Sequence, residues 1–244
     1  SFPTRRSSDL GPGGADRRMI GVDGRGFSAM VGAMNTDPVA FFREDLPALF
    51  NQGVASMKER ADGGDAKAEA RLADTSAAKG GVHVRLDGDG GADFWLLVQD
   101  GAMKVVDGQP DGVPARFAIA APVDAARAAL EEIHGADLLD GDGVAYRIAR
   151  TASAEREQLL TGHVLEFHLT IADLPADPDE VTLQIGIGVA EPPSTPKFSA
   201  KVSWDDIEDV RAGDLTPQQL FGRLKLTGDA TQAMALGMSM MQRR

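Results

Sequence analysis

The stretch Asp214-Leu-Thr-Pro-Gln-Gln-Leu-Phe-Gly-Arg-Leu-Lys-Leu-Thr-Gly-Asp-Ala-Thr-Gln-Ala-Met-Ala-Leu-Gly-Met238 carries three structural signals in succession. Thr216 before Pro217 reads as a helix N-cap followed by proline at the first helical position. Arg223 to Thr227 alternates polar and apolar residues, the pattern of a half-buried strand. Gly228-Asp229 ends that strand, and Asp229 is placed to cap a terminal helix whose surface is almost wholly apolar. In that helix Ala230, Met234, Met238 and Met241 share one stripe, with Ala233, Leu236 and Met240 beside it. The expectation is a sheet roofed by a greasy helix.

Working outward, period-two alternation recurs along the chain. It marks Val82, Val84 and Leu86; Phe94, Leu96 and Val98; Met103 and Val105; and Ala115, Phe117 and Ile119. In the second half it marks Leu165, Phe167 and Leu169; Val181, Leu183, Ile185 and Ile187; and Phe198, Ala200, Val202 and Trp204. Asp87-Gly-Asp-Gly-Gly91 and Asp100-Gly101 supply hairpin turns. Val144, Tyr146 and Ile148 read as a further strand. Helices are expected from Thr36-Asp37-Pro38, with a kink at Pro47, from Pro122-Val-Asp124 to about Ile133, from Ser153 to Leu160 and from Asp205-Asp206. Arg60 to Lys79 reads as a helical fragment and a solvated connection. One-faced strands joined by tight turns imply a mainly antiparallel sheet with helices over one face, hence the α+β class.

Equivalent strand residues repeat at nearly constant distance: Val82 to Val164 is 82 residues, Ala115 to Phe198 is 83 and Val144 to Arg223 is 79. That spacing suggests a duplicated unit. The division expected is residues 1–35 as an N-terminal segment outside the fold, 36–160 as the first unit and 161–244 as the second. Ser1 to Leu10 resembles a translated sequencing-adapter end and lacks the apolar core of a secretory signal. Glu191-Pro-Pro-Ser-Thr-Pro196 replaces one strand of the second unit, since three prolines cannot sit in a central ladder.

The words "Leu-Phe-Gly-Arg-Leu-Lys-Leu-Thr-Gly-Asp-Ala…Ala-Met-Ala-Leu" near the C-terminus resemble the closing motif of the sterol carrier protein-2 family. "Asp-Gly-Gly-Ala-Asp-Phe-Trp-Leu-Leu-Val-Gln-Asp-Gly-Ala-Met-Lys-Val" resembles that family's central hairpin, and "Phe-Ser-Ala-Lys-Val-Ser-Trp-Asp-Asp-Ile-Glu-Asp-Val" its later strand and helix. The resemblance covers most of residues 37 to 241 as two diverged copies, the second matching better. It implies a non-enzymatic carrier of a sterol, fatty acid or fatty acyl-CoA. The expected ligand contacts are Phe167, Leu183, Ile185, Phe221, Leu224, Met234, Met238 and Met241. Methionine thioethers suit a changing apolar guest, although inward strand residues and methionine stripes also serve as core. The competing expectation is an interaction module with a fully packed interior.

Composition narrows the remaining classes. The chain of 244 residues has no cysteine, which excludes disulfides and thiolate metal sites and suits a reducing cytosol. A net charge of -12 and 5% aromatic residues argue against nucleic acid. No apolar run reaches the roughly 20 residues of a membrane span. Among the four histidines, His163 and His168 are expected on opposite faces of one strand, His83 on the polar face and His134 at a helix C-terminus. The Asp-Gly-Asp-Gly runs at Asp87 and Asp140 lack the glutamate of a calcium loop at the twelfth position. Gly186-Ile-Gly188 lies inside a strand, so it is no dinucleotide loop. The acids Asp205, Asp206, Glu208 and Asp209 complement a helix dipole. No catalytic residue, metal or cofactor is expected.

Overall fold

The computed structural model describes residues 35–135, 143–175 and 177–242, all within one compact unit. The expectations for residues 1–34, and for the run beginning at Asp140, lie outside the described residues.

Asp37 caps α1 (Pro38–Ala40) by accepting from the Ala40 amide at 2.9 Å. A π-helical turn, Phe41–Asp45, leads into α2 (Leu46–Asp62). The expected kink at Pro47 is absorbed there: the Leu46 amide reaches back to the Phe41 carbonyl, and proline's missing N–H falls in the first turn of α2. Residues 60–79 are more helical than their composition suggests, because Asp65 caps a full α3 (Ala66–Ala77).

Four strands follow: β1 (Gly80–Asp87), β2 (Ala92–Gln99), β3 (Ala102–Val106) and β4 (Ala115–Pro122). Asp100 and Gly101 both take positive φ, 54° and 71°, the two-residue turn whose twist matches a hairpin. Helices α4 (Val123–Gly135), α5 (Val144–Ala149) and α6 (Ala154–Leu160) come next, the last capped by Ser153. Then come β5 (Leu165–Ala172), β6 (Val181–Ile187), β7 (Phe198–Ser203), α7 (Trp204–Ala212), α8 (Pro217–Arg223), β8 (Lys225–Gly228) and α9 (Thr231–Gln242). Thr216 and Gln219 form a reciprocal capping box at α8. Trp204 opens α7 instead of closing β7, and Arg223 ends α8, so β8 is shorter than its alternation predicts. Among the described residues, no helix is long and apolar enough to cross a membrane.

The strands form one eight-stranded sheet in the order β3-β2-β1-β4-β6-β5-β7-β8, antiparallel except for β1–β4 and β5–β7. The architecture is therefore α+β. The sheet runs unbroken past residue 160, where the sequence suggests a division. Its pairing pattern nonetheless recurs, since β1 pairs β2 antiparallel and β4 parallel, while β5 pairs β6 antiparallel and β7 parallel.

Val144 to Ile148 is a correction to the sequence reading, because the expected strand is helix α5. A Cβ at Gly53 would lie only 2.0 Å from the Ala145 carbonyl oxygen and 2.7 Å from the Ala149 Cβ. The bare glycine lets α5 seat directly on α2, and that tertiary contact overrides the local alternation. The edge of β4 is taken instead by β6, with Ile119 opposite Ile185.

Alternation puts an entirely apolar set on one face of the sheet. Its β1–β3 portion packs beneath α2 and α5 in a core containing Phe50, Met57, Val84, Phe94, Leu96 and Ala149. A second core gathers Ala125, Leu174, Val181 and Trp204 beneath α4 and α7.

Candidate functional site

Between these two cores the apolar face is incompletely covered. The register aligns Phe198, Phe167, Ile185, Ile119, Val84 and Phe94 as one row across β7, β5, β6, β4, β1 and β2. At the β1–β2 end the row is sealed. Phe117, Ile119, Phe167, Leu169, Ile185 and Ile187 are only half-buried and, among the described residues, belong to neither core cluster. They form an apolar trough along β4, β6 and β5.

The aromatic floor at one side is built by Phe167 stacked on Phe198, with ring centroids 5.0 Å apart and planes 11° from parallel. At the β5 N-terminal end, Leu165 and Phe198 lead to a depression of about 250 Å³, also bordered by Val164, Glu166, Lys197, Asp229 and Gln232. An adjoining depression of about 260 Å³ shares Val164, Lys197 and Gln232 and reaches Gly162, His163 and Ala235. Lys197 is paired with Glu166 at 3.1 Å, so this mouth is polar at its rim and apolar at its base.

Helix α9 stands beside that mouth. The Asp229 amide donates to the Lys197 carbonyl at 3.1 Å, and the Asp229 carboxylate accepts from the Thr231 amide at 3.1 Å. The hydrogen bonds from the Thr231 side chain and amide hold the Asp229 carboxyl below the usual carboxylate range. Ala230, just ahead of α9, is buried, as is Leu236 among the described side chains of α9.

The residues expected from sequence separate into three groups. Phe167, Leu183 and Ile185 share the apolar face, with Phe167 opposite Ile185 and Leu183 opposite Leu169. Leu183 leans on the second core. Phe221 and Leu224 lie at the end of α8, where the Phe221 ring faces Gly237 of α9. Met234 is 46% exposed and does not line the trough described. The side chains of Met238 and Met241 lie outside the described residues. Phe117, Ile119, Leu169 and Ile187 of the trough, and Phe198 beneath it, were not singled out, although their alternation was legible. What sequence alone did not reveal is that β4 and β6 are neighbours.

The opposite face of the sheet is polar and carries His83, as its alternation predicts. There the ring is 3% exposed and built into the structure. Its Nε2 is 2.7 Å from the Asp93 carboxylate, its Nδ1 is 2.7 Å from the Ala190 carbonyl, and its ring lies flat on Trp95. His163 precedes β5 rather than lying on it, and the His134 side chain lies outside the described residues. Among the described residues, no group of three or more His, Cys, Asp or Glu is placed to hold a metal ion. The acids at the start of α7 are engaged with Arg223, which pairs with Asp206 and Asp209.

Comparison with protein-family models, with curated proteins and with solved structures returns no match to this chain.

Proposed function

We propose that this chain binds, without chemical turnover, a hydrophobic lipid such as a sterol, fatty acid or fatty acyl-CoA, and passes it on. The lipid lies in the trough of β4, β6 and β5 and enters beneath α9. In this reading the chain is two fused sterol-carrier-like units, residues 36–160 and 161–244, and it works in the cytoplasm without a nucleic-acid partner or stable membrane insertion. The second unit supplies β5 and β6 of the trough and the first supplies Phe117 and Ile119 of β4, while the rest of the first unit is filled by its own helices.

One observation carries the reading: six half-buried apolar side chains on adjacent strands sit between two cores that are closed. Each methylene of a guest laid against them would gain about 0.8 kcal/mol. The competing reading is an interaction module with no ligand. It is favoured by the size of the two depressions, each smaller than the roughly 300 Å³ of an ordinary ligand pocket.

Delipidated protein titrated with a fluorescent fatty acid and a fluorescent sterol decides between them. Saturable binding at micromolar concentration, lost on Ile185→Asp, supports the carrier. No saturable signal with either probe leaves the interaction module standing.

A further inference from the structure

We propose that Gly188–Pro196 is a proton-dependent latch over the polar face of the sheet, with His83 as its catch. The segment leaves β6 at Gly188, where φ is 71° and the amide donates to the Arg116 carbonyl at 3.0 Å. It then lies flat on the sheet because Gly186 has no side chain; a Cβ there would come within 2.3 Å of Val189. Pro192 and Pro193 within it are buried. The Lys197 amide closes the strap by donating to the Glu166 carbonyl at 3.0 Å.

Two histidines from different strands hold the strap by its carbonyls. His83 on β1 bonds Ala190 at 2.7 Å, and His168 on β5 bonds Pro193 at 3.0 Å. The two catches are not equivalent. His168 bonds one acceptor through Nε2. His83 lies between two acceptors, because the Ala190 carbonyl only accepts and so does the ionised Asp93 carboxylate. A ring with one proton satisfies one of them and turns a lone pair toward the other. The doubly protonated ring satisfies both, at the 2.7 Å distances seen on each side.

The charged groups around His83 are anions on two sides and self-neutralised pairs on the others. The anions are Asp93 of β2, bonded to Nε2, and Glu191 of the strap, 3.8 Å from Nδ1. Arg85 of β1 is bonded to Asp87 and Gln184, and Arg116 of β4 is paired with Glu157. Trp95 stacks face to face on the ring, with centroids 4.8 Å apart and planes within 4°. The latch closes fully when His83 holds two protons; with one, the ring keeps the stronger charge-assisted bond from Nε2 to Asp93 and turns its Nδ1 lone pair toward the Ala190 carbonyl, so the strap loses that anchor.

The test is independent of any lipid. In the full chain, the His83 ring nitrogens and the Ala190 and Glu191 amides are followed by NMR, with hydrogen exchange, from about pH 5 to about pH 9. The strap amides are expected to move with the same midpoint as the His83 ring. Their protection relative to intrinsic exchange should fall about tenfold on the alkaline side, as for one lost hydrogen bond. His83→Gln should abolish this response, and His168→Gln should retain it. Strap signals that stay fixed while His83 titrates, or an unchanged response in His83→Gln, would overturn the latch.

Discussion

Asn51 of α2 clasps the backbone of Met103 on β3 from both sides. Its side-chain nitrogen donates to the Met103 carbonyl at 3.0 Å, and its side-chain oxygen accepts from the Met103 amide at 2.9 Å. Strand β3 ends the sheet, and its outward N–H and C=O groups would otherwise present a template for another chain. Asn51→Ala should cost about 1–3 kcal/mol, the range for stranding part-buried backbone groups. Asn51→Asp should cost a similar amount, since a carboxylate cannot donate to the carbonyl. Urea denaturation measures the loss, and light scattering should show greater self-association of both variants.

A second consequence concerns Gly53. Helix propensity alone says Gly→Ala in α2 should stabilise by about 1 kcal/mol. The contact with Ala145 and Ala149 opposes this, because a Cβ would need more than an ångström of separation between α2 and α5. Overpacking of that kind costs about 1–3 kcal/mol or more and should win. Gly53→Ala is expected to lower the unfolding midpoint. A higher midpoint would mean that α5 can move off α2 at little cost.

These two residues show how much was readable beforehand. All eight strands follow from alternation, since apolar residues two apart leave a chain little choice once one face is buried. The cap at Thr216 was equally plain, because a short oxygen-bearing side chain ahead of a proline has few other uses, whereas Thr36 and Asp37 were both open as the cap of the first helix. Val144 to Ile148 misled because alternation is a local signal, whereas the close seat offered by Gly53 lies about ninety residues earlier in the chain. His83 was legible only in its face. Position on the polar side of a strand says nothing of a strap arriving from residue 190. The trough was half legible: its residues were identified as strand-facing, but the pairing of β4 with β6 joins the two halves of the chain.

The contrast between trough and core should appear in mutational cost. Phe50 is fully buried, and Phe50→Ala should cost about 3–5 kcal/mol. Phe167 is half-buried, and Phe167→Ala should cost about 1–2 kcal/mol. If the trough holds the guest, Phe167→Ala should also weaken binding of a fluorescent fatty acid several-fold. Denaturant titration and probe titration on the same samples separate the two effects. Equal costs at both positions would mark Phe167 as ordinary core.

Acid sensitivity follows from carboxylates whose protonation is hindered in the folded state. Asp65 accepts from the Ala68 amide and from Arg60, and these contacts lower its pKa. The Arg223 guanidinium lowers that of Asp206, and the Thr231 hydrogen bonds lower that of Asp229. Folded values below unfolded ones mean that the stabilisation is present above the ordinary carboxylate range near pH 4. It is lost as pH falls through the depressed values. Lys201 has the opposite sign, its pKa raised by Glu180, so its contribution is present below the ordinary lysine range and is lost as pH rises through the raised value. Urea midpoints measured from neutral to strongly acidic pH should fall with a shallower slope in Asp65→Asn, which keeps an acceptor for the cap but has no charge to lose.

The absence of cysteine makes α9 directly testable as a moving part. Ala235 borders the depression that also contains Val164, Lys197 and Gln232, and it is exposed. An Ala235→Cys substitution therefore gives a single nitroxide attachment point on the side of α9 that meets the mouth, with little expected loss of stability because no buried contact is removed. In the delipidated protein the label should be mobile, since Ala235 is exposed and Leu236 is the buried one among the described side chains of α9. A guest entering beneath the helix must displace solvent from that depression and crowd the label. Addition of a long-chain fatty acid should broaden the electron paramagnetic resonance spectrum, saturating at the same concentration as fluorescent-probe binding. A label on exposed Asp111, remote in sequence and in the loop before β4, should not respond. If saturating lipid leaves the Ala235 label unchanged, the guest does not enter beside α9 and the trough is not its route.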